Sequence, residues 1–336
     1  MNTFHKLEIQ EIRRLTSDAV EIIFSIPDNL KQEFAFKPGQ YITIKHNIDG
    51  EEIRRSYSLC SRPEIMDIAI GVKRIENGKM STFLTRSLEV GDSLEVLPPL
   101  GNFILEGDNV VGICAGSGIT PILSMIKSQS NNFTLIYGNK SQNTTMFLDE
   151  IKSFDIDTHF VFSQEDVEGC STGRINNDLL NSILTTQQLQ ENNHYFICGP
   201  GEMIEDTEKF LLEKGVKSDR IHFERFVAVT QDGDEINDTD NDNISDVTVI
   251  IDGDEFQYQL STQGDTILDS AMDQGADLPF SCKGAVCCTC KAKVMEGEVR
   301  MTQNFSLSDQ EVEEGYILSC QAHPVSKKII VDFDEI

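Results

Sequence analysis

The sequence predicts a chain of three domains: an antiparallel β-barrel, a doubly wound parallel sheet, and a small cysteine-bearing domain at the C-terminal end. Three observations carry this. Apolar residues alternate with polar ones through the first hundred residues. From about residue 108, short apolar runs alternate with helical patterns. Five of the nine cysteines then crowd between Cys282 and Cys320. A length of 336 residues fits two or three domains at about 100–200 residues each.

In the first stretch Val20, Ile22, Phe24 and Ile26 alternate with polar or turn residues, as do Ile68, Ile70 and Val72. A period of two is that of a half-buried strand. Turn residues punctuate the strands at Pro38-Gly39, Asp49-Gly50, Asn77-Gly78 and Gly91-Asp92, and short strands so spaced suggest a small barrel. Beyond it, apolar runs at 110–114, 133–137, 159–162, 195–198 and 221–223 alternate with helical patterns. Those patterns cover 119–127 (amphipathic), 147–154 and 202–214, and the alternation means a parallel sheet with crossovers. Residues 228–246 hold almost no apolar side chains and many Asp and Asn, which reads as a tether. From Val247 the chain resumes with a hairpin around Asp252-Gly253, a helix over 266–274, and the cysteine loop. The expected divisions are therefore 1–106, 107–227, an acidic linker at 228–246, and 247–336.

Formal net charge is -28, from 28 basic and 56 acidic residues. Such a chain is repelled by phosphate-rich partners, so nucleic acid and anionic membrane surfaces are not expected to bind it. No run of about 18 apolar residues occurs, so no membrane span is expected. Met1 to Gln10 lack the basic-then-apolar pattern of a secretion signal, and the expected location is cytoplasmic. The charge is concentrated late: residues 231–246 carry seven acids and no Lys or Arg, and residues 247–336 carry 16 acids and 6 bases. Asp238, Asp240 and Asp242 mimic the start of a calcium loop, but Asn243 and Val249 stand where its glycine and closing acid belong.

The strongest chemical signal is Cys282-x4-Cys287-x2-Cys290, followed at a distance by Cys320. This is the plant-type ligand spacing of a [2Fe–2S] cluster, three thiolates on one loop and a fourth that closes the cage. Lys283, Gly284 and Ala285 are small or flexible enough to aim backbone N–H groups at the sulfurs, and Cys288 reads as a non-ligand. Zinc ribbons favour two C-x-x-C pairs, and only one exists here. A Rieske centre needs two histidines, and His323 stands alone in the last hundred residues. The six histidines of the chain read as ordinary surface or core groups, none in a nucleophile or metal constellation.

Two weaker signals precede it. Gly116-Ser117-Gly118-Ile119-Thr120-Pro121 follows the strand at 110–114 and suits a pyrophosphate: glycines permit close approach, the helix offers free N–H groups, and Pro121 needs none in the first turn. The next strand ends at Asn139-Lys140, with a cation where an NAD site usually places an acid, which favours a 2′-phosphate. In Arg55-Ser56-Tyr57-Ser58-Leu59-Cys60-Ser61, an Arg, an aromatic and a hydroxyl at alternating positions are expected on one strand face, to hold a phosphate, stack on a flat cofactor and bond its edge. Gly78-Lys79-Met80-Ser81 opens a helix and offers a second phosphate seat.

Arg-x-Tyr-Ser at 55–58, Gly-x-x-Ser at 78–81, Ala-Gly-Ser-Gly-Ile-Thr-Pro at 115–121 and Cys-Gly-Pro at 198–200 together resemble the ferredoxin–NADP reductase superfamily, in that family's order, with a plant-type ferredoxin module behind. Pro98 to Phe103 resembles the junction of the two reductase domains. The cysteine loop and Leu318 to Pro324 look most like the reductase subunits of ring-1,2-phenylacetyl-CoA epoxidases, and 3-ketosteroid 9α-hydroxylase reductases are similar. The resemblance implies an antiparallel β-barrel flavin domain, a doubly wound NAD(P) domain and a β-grasp ferredoxin domain. It implies FAD on Arg55, Ser56, Tyr57, Ser58, Val72, Lys73, Lys79, Met80 and Ser81. NADPH, with NADH possible, would sit on Gly116, Gly118, Thr120, Pro121, Asn139, Lys140, Cys198, Gly199 and Pro200. Ser58, Cys198 and Glu224 would lie at the reacting centre, and Cys282, Cys287, Cys290 and Cys320 would hold the iron. The implied activity is an NAD(P)H-dependent reductase passing electrons through FAD and the cluster to an oxygenase, such as the phenylacetyl-CoA epoxidase of phenylacetate catabolism. The alternatives are a reductase of another oxygenase, such as a 3-ketosteroid hydroxylase, and a non-enzymatic iron–sulfur carrier or redox sensor.

Overall fold

The computed structural model describes residues 3–63, 67–186, 189, 192–226 and 243–335. Most of the expected tether, 227–242, lies outside the described residues. Residues 4–226 form one compact body and the C-terminal domain a second.

The first sheet is antiparallel and six-stranded: β1 (His5–Arg14), β2 (Ala19–Ser25), β3 (Tyr41–Ile48), β4 (Glu51–Ser58), β5 (Ile68–Lys73) and β6 (Ser93–Leu100), in the order β4-β3-β6-β1-β2-β5. Its two edges meet where Leu59 bridges Ile70 and the Cys60 N–H donates to Ala69 O at 2.8 Å. The barrel thereby closes. Leu7, Ile9, Ile22, Phe24, Ile42, Ile44 and Val96 fill its interior, the inward half of the alternation read from the sequence. Helix α1 (Lys79–Arg86) leads from β5 to β6.

The second sheet is wholly parallel: β7 (Asn109–Ala115), β8 (Phe133–Asn139), β9 (Asp157–Phe162), β10 (Ser171–Thr172), β11 (Asn193–Gly199) and β12 (Ile221–Arg225), in the order β10-β9-β8-β7-β11-β12. Helices α2 (Ile119–Ser128), α3 (Leu148–Lys152), α4 (Asn177–Ile183) and α5 (Gly201–Glu213) join its strands. Strand order reverses between β7 and β11, and open parallel sheets bind ligands at the carboxyl ends of strands at such a switch point. Those ends carry Gly116 and Cys198. Helix α2 departs from the expected amphipathic pattern: every residue from Ile119 to Ile126 is buried. It is wedged between its own sheet and the barrel, in one core that joins Ala19, Cys60 and Ala69 to Ile119, Ile122 and Met125. A Cβ on Gly71 of β5 would lie 2.6 Å from Thr120 Cγ2, so only glycine lets barrel and helix approach this closely.

The third domain is a mixed sheet of β13 (Ile244–Ile251), β14 (Asp254–Ser261), β15 (Lys291–Glu296), β17 (Tyr316–Leu318) and β19 (Lys328–Asp332), ordered β14-β13-β19-β15-β17, beside a small pair of β16 (Val299–Met301) and β18 (Ala322–Pro324). Helix α6 (Ile267–Asp273) is capped by Thr266, whose hydroxyl accepts from the Asp269 N–H. Helix α7 (Asp309–Glu313) follows. The β13–β14 turn is Asp252-Gly253, both at positive φ, as a tight hairpin turn requires. Strand β13 begins at Ile244, inside the segment read as tether, and pairs there with Ser261. This domain has a core of its own, built on Val247, Val249, Leu268, Leu278, Ile329 and Val331.

Candidate active site

Strand β4 positions the first group. Its regular pairing with β3 sets Ile44 against Arg55 and Ile42 against Tyr57. Strict alternation then places Arg55 and Tyr57 on one face, as expected, and Ser56 and Ser58 on the other. Arg55 is exposed and its guanidinium donates to Arg54 O at 2.7 Å. Tyr57 is half-buried, and burial pushes its hydroxyl far above the ordinary phenol range, so the ring is neutral and stays available for stacking. Ser56 Oγ lies 3.2 Å from Thr43 Oγ1.

Ser58 is buried at the end of β4 and donates to Glu224 Oε2 at 2.9 Å, across 166 residues of sequence. Glu224 sits on β12 directly beside Cys198 of β11 in the parallel register. The three residues expected at the reacting centre therefore converge. Cys198 is completely buried, and burial together with the charge of Glu224 pushes its thiol well up. Its side chain packs in the core that barrel and sheet share.

The α1 turn is built by Ser81, whose Oγ accepts from the Ile75 N–H at 3.1 Å and donates to Gly78 O at 3.3 Å. Gly78 offers no capping side chain, so the N–H groups of Lys79, Met80 and Ser81 remain for an anion. Lys79 pairs with Glu51 at the surface. Val72 and Met80 point into the barrel core, so only their backbones can face a cofactor. The Lys73 ammonium lies 3.5 Å from Thr144 O, in the nucleotide domain.

The glycine loop closes on the switch point. Gly116 has φ +56 and open space where a Cβ would stand, a cradle that leaves its backbone accessible. Gly118 has ordinary helical φ, but a Cβ there would lie 2.1 Å from Cys198 O. A Cβ on Gly199 would lie 2.6 Å from Met203 Cε. The Thr120 hydroxyl donates to Ser117 O at 3.0 Å, and Pro121 occupies the buried first turn of α2. Asn139 ends β8 half-buried, Lys140 follows it exposed, and Pro200 caps α5. The residues present fit a dinucleotide, whose pyrophosphate the 116–118 turn would hold.

The four cysteines converge in the C-terminal body. Cys287, Cys290 and Cys320 are buried and Cys282 is partly exposed. Lys283 and Ala285 adopt positive φ, which turns the loop, and the Gly284 N–H donates to Cys282 Sγ at 3.3 Å. The Cys282 and Cys287 sulfurs lie 3.1 Å apart. The hydrogen they share holds Cys287 down at about 6 and pushes Cys282 up. Sharing between Cys290 and Cys320 likewise lowers Cys320 and raises Cys290. The distant Cys320 is brought to the loop beside Ser319, whose N–H and hydroxyl both donate to Cys290 O, at 3.1 and 2.9 Å. Cys288 spends its sulfur on Ser306 O at 3.3 Å, and burial pushes it up to about 12.

Family models match all three parts: an oxidoreductase FAD-binding domain at 6–104, an oxidoreductase NAD-binding domain at 113–209, and a 2Fe-2S iron-sulfur cluster binding domain at 249–325. One component of the 1,2-phenylacetyl-CoA epoxidase of Escherichia coli strain K12 is 37% identical, with 99% of each chain covered. The chain belongs to the ferredoxin–NADP reductase superfamily, with a plant-type [2Fe–2S] module. The ferredoxin reductase component of the 3-ketosteroid-9-alpha-monooxygenase of Rhodococcus rhodochrous is 32% identical over 97% of this chain and 96% of its own. Phthalate dioxygenase reductase shares the fold across 98% of both chains, at TM-score 0.62 and 23% identity.

This member of the superfamily is an NAD(P)H-dependent electron-transfer reductase using FAD and a [2Fe–2S] cluster, which removes the scaffold-only carrier reading. FAD supplies the change from two-electron to one-electron chemistry, and the cluster supplies a one-electron carrier. No helix among the described residues is long and apolar enough to cross a membrane. Sequence reasoning passed over several supporting groups. The Tyr137 hydroxyl donates to Gly116 O at 2.9 Å and fixes the glycine turn; the strand-end motif Tyr-Gly-Asn contained the signal. Gln321 Nε2 reaches Cys320 Sγ at 3.9 Å. The histidines also need correction: His194 and His222 do enter a constellation, with Glu106.

Proposed function

We propose that this reductase draws on NADPH and delivers electrons to an oxygenase component, the epoxidase that acts on phenylacetyl-CoA. The observation that carries the acceptor is the 37% identity to the E. coli epoxidase component, maintained over 99% of both chains. The donor preference rests on Lys140, an exposed cation just past β8 where a 2′-phosphate would reach. Arg55, Tyr57 and the N–H groups of 79–81 would hold FAD, and Ser58 and Glu224 would set the flavin against the nicotinamide. Cys282, Cys287, Cys290 and Cys320 would hold the cluster, within a domain division at 106 and 227 and a C-terminal domain whose first strand begins at Ile244.

The test is reconstitution. With purified epoxidase components and phenylacetyl-CoA, the protein should support epoxide formation several-fold faster on NADPH than on NADH, and Lys140→Ala should erase that difference. Cys320→Ser should retain ferricyanide reduction and lose cytochrome c reduction and epoxide formation. Full-rate cytochrome c reduction by Cys320→Ser would sink the electron route. A failure confined to the epoxidase assay would move the acceptor to another oxygenase.

A further inference from the structure

We propose that Glu106, His194 and His222 form a binding site for a divalent transition-metal ion, Zn2+ being the best match, at the end of the parallel sheet opposite the nucleotide loop. His194 lies near the start of β11 and His222 near the start of β12, whereas Gly199 ends β11 at the dinucleotide site. The register pairs Phe196 with His222, so residues 194, 196 and 222 project from one face of the sheet.

The geometry is that of a ligand set. His194 Nδ1 and His222 Nε2 are 3.0 Å apart and share a hydrogen that a bound ion would replace, with ring centroids 5.3 Å apart and planes within 9° of parallel. Phe196 stacks on His222 at 4.6 Å and 16°, which fixes that ring. One ligand atom from each of Glu106, His194 and His222 lies within 4.8 Å of the other two. Gly107 explains how Glu106 arrives: its φ is +78, and a Cβ there would lie 2.4 Å from His194 Cδ2. Any other residue would push the connector off the imidazole.

Two nitrogens at about 2.0–2.1 Å from a tetrahedral Zn2+ lie roughly 3.3 Å apart, so the imidazoles need to separate by only a few tenths of an ångström. Two imidazoles and one carboxylate suit Zn2+ over the hard cations Mg2+ and Ca2+, which take oxygen ligands. Glu106 and both histidines retain solvent exposure, leaving a fourth position for water. The ion would clamp the connector after Phe103, which leads from the barrel into the sheet, onto the last two strands. A ligand that binds only the folded state stabilises it by mass action.

The test uses flavin- and cluster-loaded protein, freed of loosely held metal and titrated with Zn2+ by calorimetry. Iron content is measured before and after, so that zinc entering a lost cluster site is recognised. Expected are one saturable Zn2+ per chain, a rise in the melting temperature, and roughly tenfold or greater weakening in each of Glu106→Gln and His194→Gln. Ferricyanide reduction by NAD(P)H, unchanged in the exposed Glu106→Gln variant, verifies its fold. No saturable event in the wild type, one that appears only as iron is lost, or equal affinity in wild type and both variants would each overturn the site.

Discussion

The Ser58 hydroxyl and the Glu224 carboxylate meet at 2.9 Å although one belongs to the barrel and the other to the last strand of the parallel sheet. A bond made across two domains sets their spacing, and hydride transfer is sensitive to spacing. Glu224→Gln and Ser58→Ala are each expected to slow flavin reduction by NAD(P)H roughly 10- to 100-fold in stopped-flow measurements, with FAD content unchanged. The cysteines separate into two kinds on the same reasoning. Cys287→Ser removes a buried candidate ligand and should abolish the cluster's visible absorption. Cys288→Ser only exchanges one weak donor to Ser306 O for a stronger one, and iron content should stay at the wild-type level. The cysteine spacing was readable because every ligand but one falls in one loop. The Glu106–His194–His222 group was not, because it exists only once β11 and β12 pair in parallel.

At the scale of the element, the decisive contact is the glycine turn against the end of β11. Gly118 needs no special backbone angle, so its requirement is purely steric: an added methyl meets Cys198 O at 2.1 Å. Gly118→Ala should therefore part the turn from β11 and raise the KM for NAD(P)H, at a stability cost of about 1–3 kcal/mol. Unaltered KM and melting temperature would refute this account of the turn. The same turn was visible in the sequence as glycines between an apolar run and a helix. The all-round burial of α2 was not, because its outer face packs on residues such as Ala69 that come from the barrel. Strands β16 and β18, three residues each, fall below the length at which alternation can be recognised.

For the whole molecule, the charge of -28 becomes a statement about docking. The C-terminal 90 residues hold 16 of the acids against 6 bases, and such a surface steers toward a basic partner. Raising ionic strength should slow reduction of the oxygenase while leaving ferricyanide reduction nearly constant; equal salt dependence of the two would show that steering plays no part. Three domains were readable from three kinds of pattern, but patterns do not reveal which domains share an interior. Here α2 is buried against both the barrel and its own sheet, whereas the ferredoxin-type domain is filled by its own residues. Calorimetry of the loaded protein should accordingly resolve two cooperative transitions, not three, one of them lost in a chain ending at residue 226. In evolutionary terms, a module that carries its own interior is expected to be gained, dropped or exchanged as one cassette. The flavin and nucleotide halves, locked through Gly71 and Thr120, must be inherited together.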